Sequence, residues 1–519
     1  MSESPDTTAQ EQPEQKWWTL VAVCTGIFIL LLDVTIVNVA LPDIRGDLDA
    51  KLSGLQWVMD AYALTLAALL LTAGSLADLY GRRRIFAVGI ALFLAGSVAC
   101  GAAQDIALLI AARGFQGIGG AAMFATGLAL LASAYQGKDR GIAFGAFGAT
   151  TGLAVAVGPV VGGLLTSGLS WRWIFFVNIP ICIFAFAVTV TRVPESHDPR
   201  AGRPDWLGFA TFSSGLAALV YGLIRAGQED WSDHLVVGCL VAAVVLLTLF
   251  VVTQALQEHP MFDLTLLRKP TFVGGVIAAF SISASIFALF TYLVIYMQVV
   301  LGLDAIGTGL RFLFLSVASF FAAAIAGRLT SQVPAKWLIA PGFLVVGSGL
   351  MLIHGIEPGS TWKHLIPGLI VAGIGIGMVN TPLASTAVGV VSLDRSGMAS
   401  GVNSTFRQVG YATGIAALGS IFSHQINDEF LQNLAGTGAG PGILAGPASD
   451  AIISGQLSTA TGTPEPIATA AATALIDSLN HITLIAAVIA FTAAVLCMVL
   501  IRQQDFVVQP GRAPDPAAG

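Results

Sequence analysis

Fourteen apolar stretches follow one another along this chain, each about as long as a helix needs to cross ~30 Å of hydrocarbon. They run over 17–40, 55–78, 84–103, 106–134, 141–167, 173–193, 205–226, 234–256, 271–301, 308–330, 335–354, 363–391, 398–424 and 479–502. Backbone groups find no water in lipid, so runs of this length are helices, and no alternating barrel pattern competes. The polar connections are short except at 425–478, a segment rich in Gly, Ala, Thr and Pro. It reads as largely disordered, with an Ala-rich run at 467–475 as its helical candidate. The pattern predicts an all-α polytopic membrane protein with a polar, disordered N-terminus at 1–16 and a tail at 503–519.

Composition agrees and narrows the partners. Only 10% of the 519 residues are charged, against about 25% in soluble proteins, so a lipid bilayer rather than water covers most of the surface. The net charge of −6 is scattered rather than clustered, which argues against nucleic acid. Five cysteines and seven histidines show no ligand spacing, and no metal site is expected. Sixteen of the 24 Lys and Arg residues lie in segments on the side of the N-terminus, among them Arg82, Arg83, Arg84, Lys138, Arg140 and Lys336. Five lie on the other side: Arg45, Lys51, Arg172, Arg225 and Lys363. This asymmetry predicts a cytoplasmic membrane protein with both termini inside and 425–478 outside.

A repeat runs through the chain at an offset of 256 residues. Gly117-Ile118-Gly119 meets Gly373-Ile374-Gly375, and Gly141, Gly145, Gly158 and Gly163 meet Gly397, Gly401, Gly414 and Gly419. Small residues at matched positions let helices approach alike in two halves. Spans 1–6 then pair with spans 9–14, and spans 7 and 8 form an inserted hairpin.

Spans 2 and 3 are joined by Gly74-Ser75-Leu76-Ala77-Asp78-Leu79-Tyr80-Gly81-Arg82-Arg83-Arg84. A membrane anchor explains the arginines but not Gly74, Asp78 and Gly81; a lock built on charge pairs and helix dipoles explains all of them. The run resembles the signature of the major facilitator superfamily, which implies that Gly74, Asp78, Gly81 and Arg82 form a gate rather than a substrate site. A reduced copy, Gly327-Arg328-Leu329, ends span 10 with Ser331 where the acid would be. Leu32-Asp33-Val34-Thr35-Ile36-Val37-Asn38-Val39-Ala40-Leu41-Pro42 resembles the helix 1 signature of the 14-helix drug:proton antiporter branch. Arg113-Gly114-Phe115-Gln116-Gly117-Ile118-Gly119 is similar to the helix 4 motif tied to proton coupling. Gly152, followed by Gly158-Pro159-Val160-Val161-Gly162-Gly163, resembles the helix 5 antiporter motif, with Ala154 where glycine is usual. Trp171 to Pro180 resembles the opening of helix 6.

The resemblance implies a major facilitator fold: six-helix bundles at 17–193 and 271–502 with a hairpin at 205–256. It also implies export of a small organic molecule (a drug, an antibiotic or a self-made metabolite) driven by a proton gradient, with no cofactor. An importer of a nutrient or osmolyte on the same fold is the alternative, and the helix 5 motif speaks against it. A membrane-embedded lipid- or glycan-modifying enzyme is more remote, since no catalytic pair lies at an interface.

Charge at mid-bilayer costs on the order of 2.5–3.5 kcal/mol, so each embedded ion calls for a reason. Asp33, Asp60 and Arg113 lie roughly 13, 10 and 12 Å below the outer helix ends, counted at ~1.5 Å per residue. They predict one cluster in the first half, with Asp33 and Arg113 as proton-coupling residues and Asp60 as a substrate residue attractive to lipophilic cations. Tyr292, Tyr296 and Gln298 on span 9 are cavity-lining candidates, although aromatic residues near helix ends are more often interfacial belts or packing. Arg311 reads as an interfacial residue. Arg407, in Arg407-Gln408-Val409-Gly410, resembles the branch's helix 13 without an assigned role.

Overall fold

A computed structural model describes residues 13–507 except 51, 136–137, 198–204, 229–230, 258–259, 331, 393–394, 436–451 and 454–462. Fourteen long helices form among the described residues. They are α1 (Pro13–Asp47), α2 (Leu52–Tyr80), α3 (Arg82–Gly101), α4 (Ile106–Ala134), α5 (Lys138–Gly168), α6 (Trp173–Arg192) and α7 (Trp206–Gln228). The second seven are α8 (His234–Leu256), α9 (Pro270–Val300), α10 (Ala305–Leu329), α11 (Lys336–Ile353), α12 (Leu365–Gly389), α13 (Ser396–Ala435) and α14 (Glu465–Leu500). Twelve are long and apolar enough to cross a membrane on their own account. The other two, α5 and α13, are diluted by Gly, Ser and Thr, and both lie at the junction between the halves.

Local chemistry sets where helices begin. Side chains of Asp105, Asp233 and Asp304 accept from backbone N–H groups in the first turns of α4, α8 and α10, satisfying donors that have no intrahelical partner. Gly81 separates α2 from α3 at φ +108°, a conformation that a side chain strongly disfavours. Helix α9 carries two π-helical segments, Ser283–Phe287 and Tyr296–Val300. The expected 425–478 loop is shorter than its composition implied. Helix α13 continues to Ala435 and α14 starts at Glu465, taking in the Ala-rich run, because both extensions bury apolar residues such as Phe430, Leu434, Ala471 and Leu475 in the second half's core.

Each half has its own core. Phe86, Phe93, Met123, Leu131 and Phe144 centre the first, drawn from α3, α4 and α5; Phe343, Leu369, Phe422 and Leu479 centre the second. The hairpin packs its α7 on α2 and α13, where Phe209, Phe212 and Leu216 meet Leu71, Met398 and Val402. Its partner α8 turns Val241, Val244 and Val245 outward, as a lipid-facing helix does.

Two seams join the halves, and both are glycine crossings. In one, α2 meets α13: a Cβ on Gly74 would overlap the Gly397 carbonyl oxygen. In the other, α10 meets α5: a Cβ on Gly327 would lie 2.5 Å from the Gly141 oxygen and 2.7 Å from Gly145 Cα. Gly141 and Gly145 are the repeat partners of Gly397 and Gly401, so the offset in sequence is a symmetry of contact. Both crossings lie on the face where α1 begins and α14 ends, here called the terminal face. On that side α13 is fully buried from 396 to 405, and exposure returns at Phe406.

Gly327→Val should therefore lower the melting temperature of the detergent-solubilised protein, since overpacking of this kind costs about 1–3 kcal/mol. Gly238→Val on α8, where a Cβ meets nothing within 4 Å, should leave it unchanged. Equal melting of the two variants would contradict the crossing.

Candidate functional site: a buried charge network and an interbundle lock

Asp33 on α1 and Arg113 on α4 form an ion pair between Arg113 Nη1 and Asp33 Oδ2, with both side chains 0% exposed. Groups on α2, α3, α4 and α6 surround the pair. Asn178 Nδ2 on α6 donates to Asp33 Oδ1 at 3.1 Å and Gln116 Nε2 on α4 to the same oxygen at 3.0 Å. The same two nitrogens donate to Ser97 Oγ on α3, at 3.2 and 2.8 Å. Arg113 Nη1 also donates to Gln116 Oε1 at 2.7 Å, and its Nε to the Val58 carbonyl of α2 at 3.1 Å. The guanidinium lies 4.3 Å from the centre of the Tyr62 ring, within cation–π range. The Tyr62 hydroxyl, Arg113 Nη2 and Asn178 Oδ1 are buried with no hydrogen-bond partner among the described residues. A buried pair of this kind is held by its surroundings and loses much when one member changes charge, by about 3–5 kcal/mol.

Of the three embedded ions expected to cluster, two come together. Asp60 does not join them. Val58 and Tyr62 on α2 face Arg113 one turn apart, and Asp60, midway between, projects from another side of the helix. It is half-buried, within electrostatic reach of Tyr411 on α13, and its neighbour Trp57 packs on Tyr221 of α7 at 5.5 Å. The cavity-lining reading of the α9 residues is corrected as well. Tyr292 and Tyr296 are buried in the second half's core; the Tyr292 hydroxyl donates to Ile415 O at 2.8 Å, and its ring meets Phe422 at 5.0 Å. Gln298 is exposed on the π-turn at the end of α9. Arg311 donates to Gly307 O within its own helix and lies 4.9 Å over Trp362.

Gly74, Asp78, Gly81 and Arg82 form a lock between the halves. Asp78 accepts from two N–H groups at the start of α13, Gly397 N at 3.0 Å and Met398 N at 2.8 Å. A carboxylate there satisfies free donors and meets the positive end of the helix dipole. Arg82 is almost fully buried and donates to Asp78 through Nε and Nη2, at 2.9 and 2.8 Å. Gly74 permits the crossing one turn deeper, and any side chain on Gly81 would collide with Glu195. Glu195 completes the lock: it accepts from Arg83 N at 3.0 Å and lies 3.6 Å from both Arg83 and Arg84 side chains. Ser331, the counterpart of Asp78, lies outside the described residues.

The glycines of α5 connect the charge network to the second seam. A Cβ on Gly158 would overlap the hydroxyl of Thr35, which lies two residues from Asp33 on α1. A Cβ on Gly152 would meet Ser316 and Phe320 of α10 at ordinary van der Waals distance, and one on Gly163 would lie 2.5 Å from Ile306. Gly162 is buried, as is Ala154; the side chains of Pro159, Asn38, Val39 and Pro42 lie outside the described residues.

The lock predicts the behaviour of Asp78→Asn. The amide can still accept hydrogen bonds, but it loses the charge that binds Arg82 and the α13 dipole. A cysteine at Ala384, buried on α12 against the first half's core, should react with a small thiol reagent about fivefold faster in that background, the equivalent of ~1 kcal/mol. An unchanged rate would mean that the charge does not hold the halves together.

Comparison with known proteins agrees with this architecture. Residues 23–415 match the Major Facilitator Superfamily domain. The multidrug resistance protein Stp of Mycobacterium tuberculosis is 36% identical over 406 residues, 78% of this chain and 75% of that protein. The puromycin resistance protein pur8 of Streptomyces alboniger is 34% identical over 434 residues, 81% of this chain and 86% of that protein. The human organic anion transporter MFSD10 shares the fold at a TM-score of 0.60 and 14% identity, covering 92% of this chain and 100% of that one. The chain belongs to the major facilitator superfamily.

Proposed function

We propose that the chain is an antiporter of the cytoplasmic membrane that exports small organic molecules, drugs or antibiotics among them, in exchange for protons. Its similarity to Stp and pur8, named for multidrug and puromycin resistance, supports the substrate class. The excess of Lys and Arg on the terminal face supports a cytoplasmic placement of both termini. In that orientation the Asp78 lock holds the halves together on the cytoplasmic side.

The observation that carries the coupling is the setting of Asp33. It is a buried carboxylate balanced by a single cation, two residues along α1 from Thr35, which packs on Gly158 of α5. A proton arriving at Asp33 cancels its attraction for Arg113 and turns one of its two oxygens into a donor, so the carboxyl can no longer accept from Arg113, Asn178 and Gln116 as it does when ionised. Helix α1 is then held less firmly to α4 and α6. Because α5 packs on α1 and also forms the seam with α10, a shift of α1 is felt where the halves meet. Rocking of two bundles about such seams is how alternating access works on repeat-built transporters. Proton occupancy of Asp33 thereby biases which side is open.

The test is uptake of compounds of different charge (puromycin, ethidium and 9-anthracenecarboxylate) into inside-out vesicles energised by a pH gradient. The wild-type chain should concentrate at least one of them, and Asp33→Asn should abolish uphill uptake of every transported compound while the protein remains in the membrane. Uphill transport by Asp33→Asn at the wild-type rate would remove Asp33 from the coupling step.

A further inference from the structure

Helix α13 has four sides, and three are accounted for by its neighbours. Gly397 and Gly401 meet α2. Ala399 and Val402 pack with the hairpin's apolar cluster. Gly410 and Gly414 lie against Phe280 and Ala284 of α9. At about 100° per residue the remaining side, opposite the hairpin and between α2 and α9, carries Ser400, Ser404, Arg407 and Tyr411. Helix α13 also packs on α4, in the other half.

The chemistry of this stripe is unfinished. Ser400 and Ser404 are 0% exposed, and both hydroxyls lack a hydrogen-bond partner among the described residues. A buried hydroxyl in a helix ordinarily bonds a carbonyl one turn back, as Thr126 does with Ala122 at 2.6 Å. Arg407 lies eleven residues into α13, roughly 16 Å from its terminal-face end and so near mid-membrane. It is half-buried, and no carboxylate or hydrogen-bond acceptor pairs with it among the described residues. The contrast with the other embedded arginines is sharp: Arg113 holds Asp33, Arg82 holds Asp78, and Arg311 holds a carbonyl and an indole ring. An arginine at this depth needs a partner, and its fork of donors suits an anionic oxygen.

We propose that the Ser400–Ser404–Arg407–Tyr411 stripe is the binding site for an acidic oxygen of the exported molecule, a carboxylate or an ionised phenol, with Arg407 as its counter-ion. This rests on the export reading above and specifies its substrate class. Arg407 meets the anionic oxygen directly. The serine hydroxyls lie one and two turns toward the cytoplasmic lock and donate to further oxygens of the same group when the lock opens. The site favours acids over neutral molecules of the same shape and disfavours cations. Asp33 does not offset this preference, because Arg113 already neutralises it. Asp60 lies within electrostatic reach of Tyr411, so the acidic oxygen sits at the Arg407, Ser404 and Ser400 end of the stripe, away from Tyr411.

The experiment compares 9-anthracenecarboxylate with its methyl ester, two fluorescent probes with one aromatic body and different charge. Binding is measured by fluorescence titration of the purified full-length protein, and transport by uptake into inside-out vesicles. Wild type should bind the acid at least about tenfold more tightly than the ester. Arg407→Gln should erase that preference while leaving ester binding within about twofold, and Arg407→Lys should keep part of it. A wild type that binds acid and ester equally, or an Arg407→Gln variant that keeps the acid preference, would overturn the site. If Arg407→Gln proves unstable, Ser404→Ala supplies the same test by a smaller loss of acid preference, and no loss overturns the serine assignment. Binding without uphill uptake of any compound would instead count against the export reading and leave the site standing.

Discussion

Hydrocarbon solvates neither charge nor an open backbone, and most of what is particular to this chain follows from that. Fourteen helices answer the backbone requirement. Two pairs of embedded charges answer the charge requirement for one another, each with its own geometry. Asp33 and Arg113 neutralise each other and are wrapped by α2, α3, α4 and α6. Asp78 and Arg82 do the same at the membrane edge, with the free N–H groups of α13 as additional partners. Because these pairs join separate helices, neutralising a charge and assembling the bundles are the same event.

The two seams share a backbone geometry and differ in chemistry. Gly74 against Gly397 and Gly327 against Gly141 are equivalent crossings in the two halves. Only the first carries an acid one turn beyond the glycine. At the second, Arg140 reaches from α5 to the Ser385 carbonyl of α12 at 3.0 Å, a neutral acceptor in place of a charged one. One seam is thus held by charge and the other by close steric packing. The hairpin belongs to the lock: Thr72 bonds Ser213 at 2.9 Å, and Arg395, beside the start of α13, pairs with Asp263 in the segment that follows the hairpin.

Much of this was legible in the sequence because periodicity and spacing encode it directly. The fourteen apolar runs match the fourteen helices, and the glycine offset of 256 anticipated equivalent seams. The pairing of Asp33 with Arg113 followed from their common depth. Depth alone does not give direction, however. Asp60 lies at the same level, and only the rotation of α2 about its axis, set by Val58 and Tyr62, turns it away. The neutral members of the network, Ser97, Gln116 and Asn178, carry no charge to flag them. Gln116 and Asn178 do fall inside the helix 4 and helix 6 motifs, where their polarity amid apolar residues was the available signal. The α9 tyrosines misled because an aromatic hydroxyl suits a cavity wall and a core carbonyl equally well. Glu195 was hidden for a simpler reason: its partners are more than a hundred residues away, and only the folded chain brings them to Gly81.

If protonation of Asp33 biases which side of the protein is open, as proposed above, a compound that prefers one of the two arrangements changes the proton occupancy of Asp33 by linkage. The direct measurement is proton release from purified protein in weakly buffered detergent solution, followed with a pH-sensitive dye as a transported compound is added. Wild type should release protons in step with binding, and Asp33→Asn should bind the compound without releasing any. Equal release from both proteins would place the exchanging proton elsewhere and contradict the account.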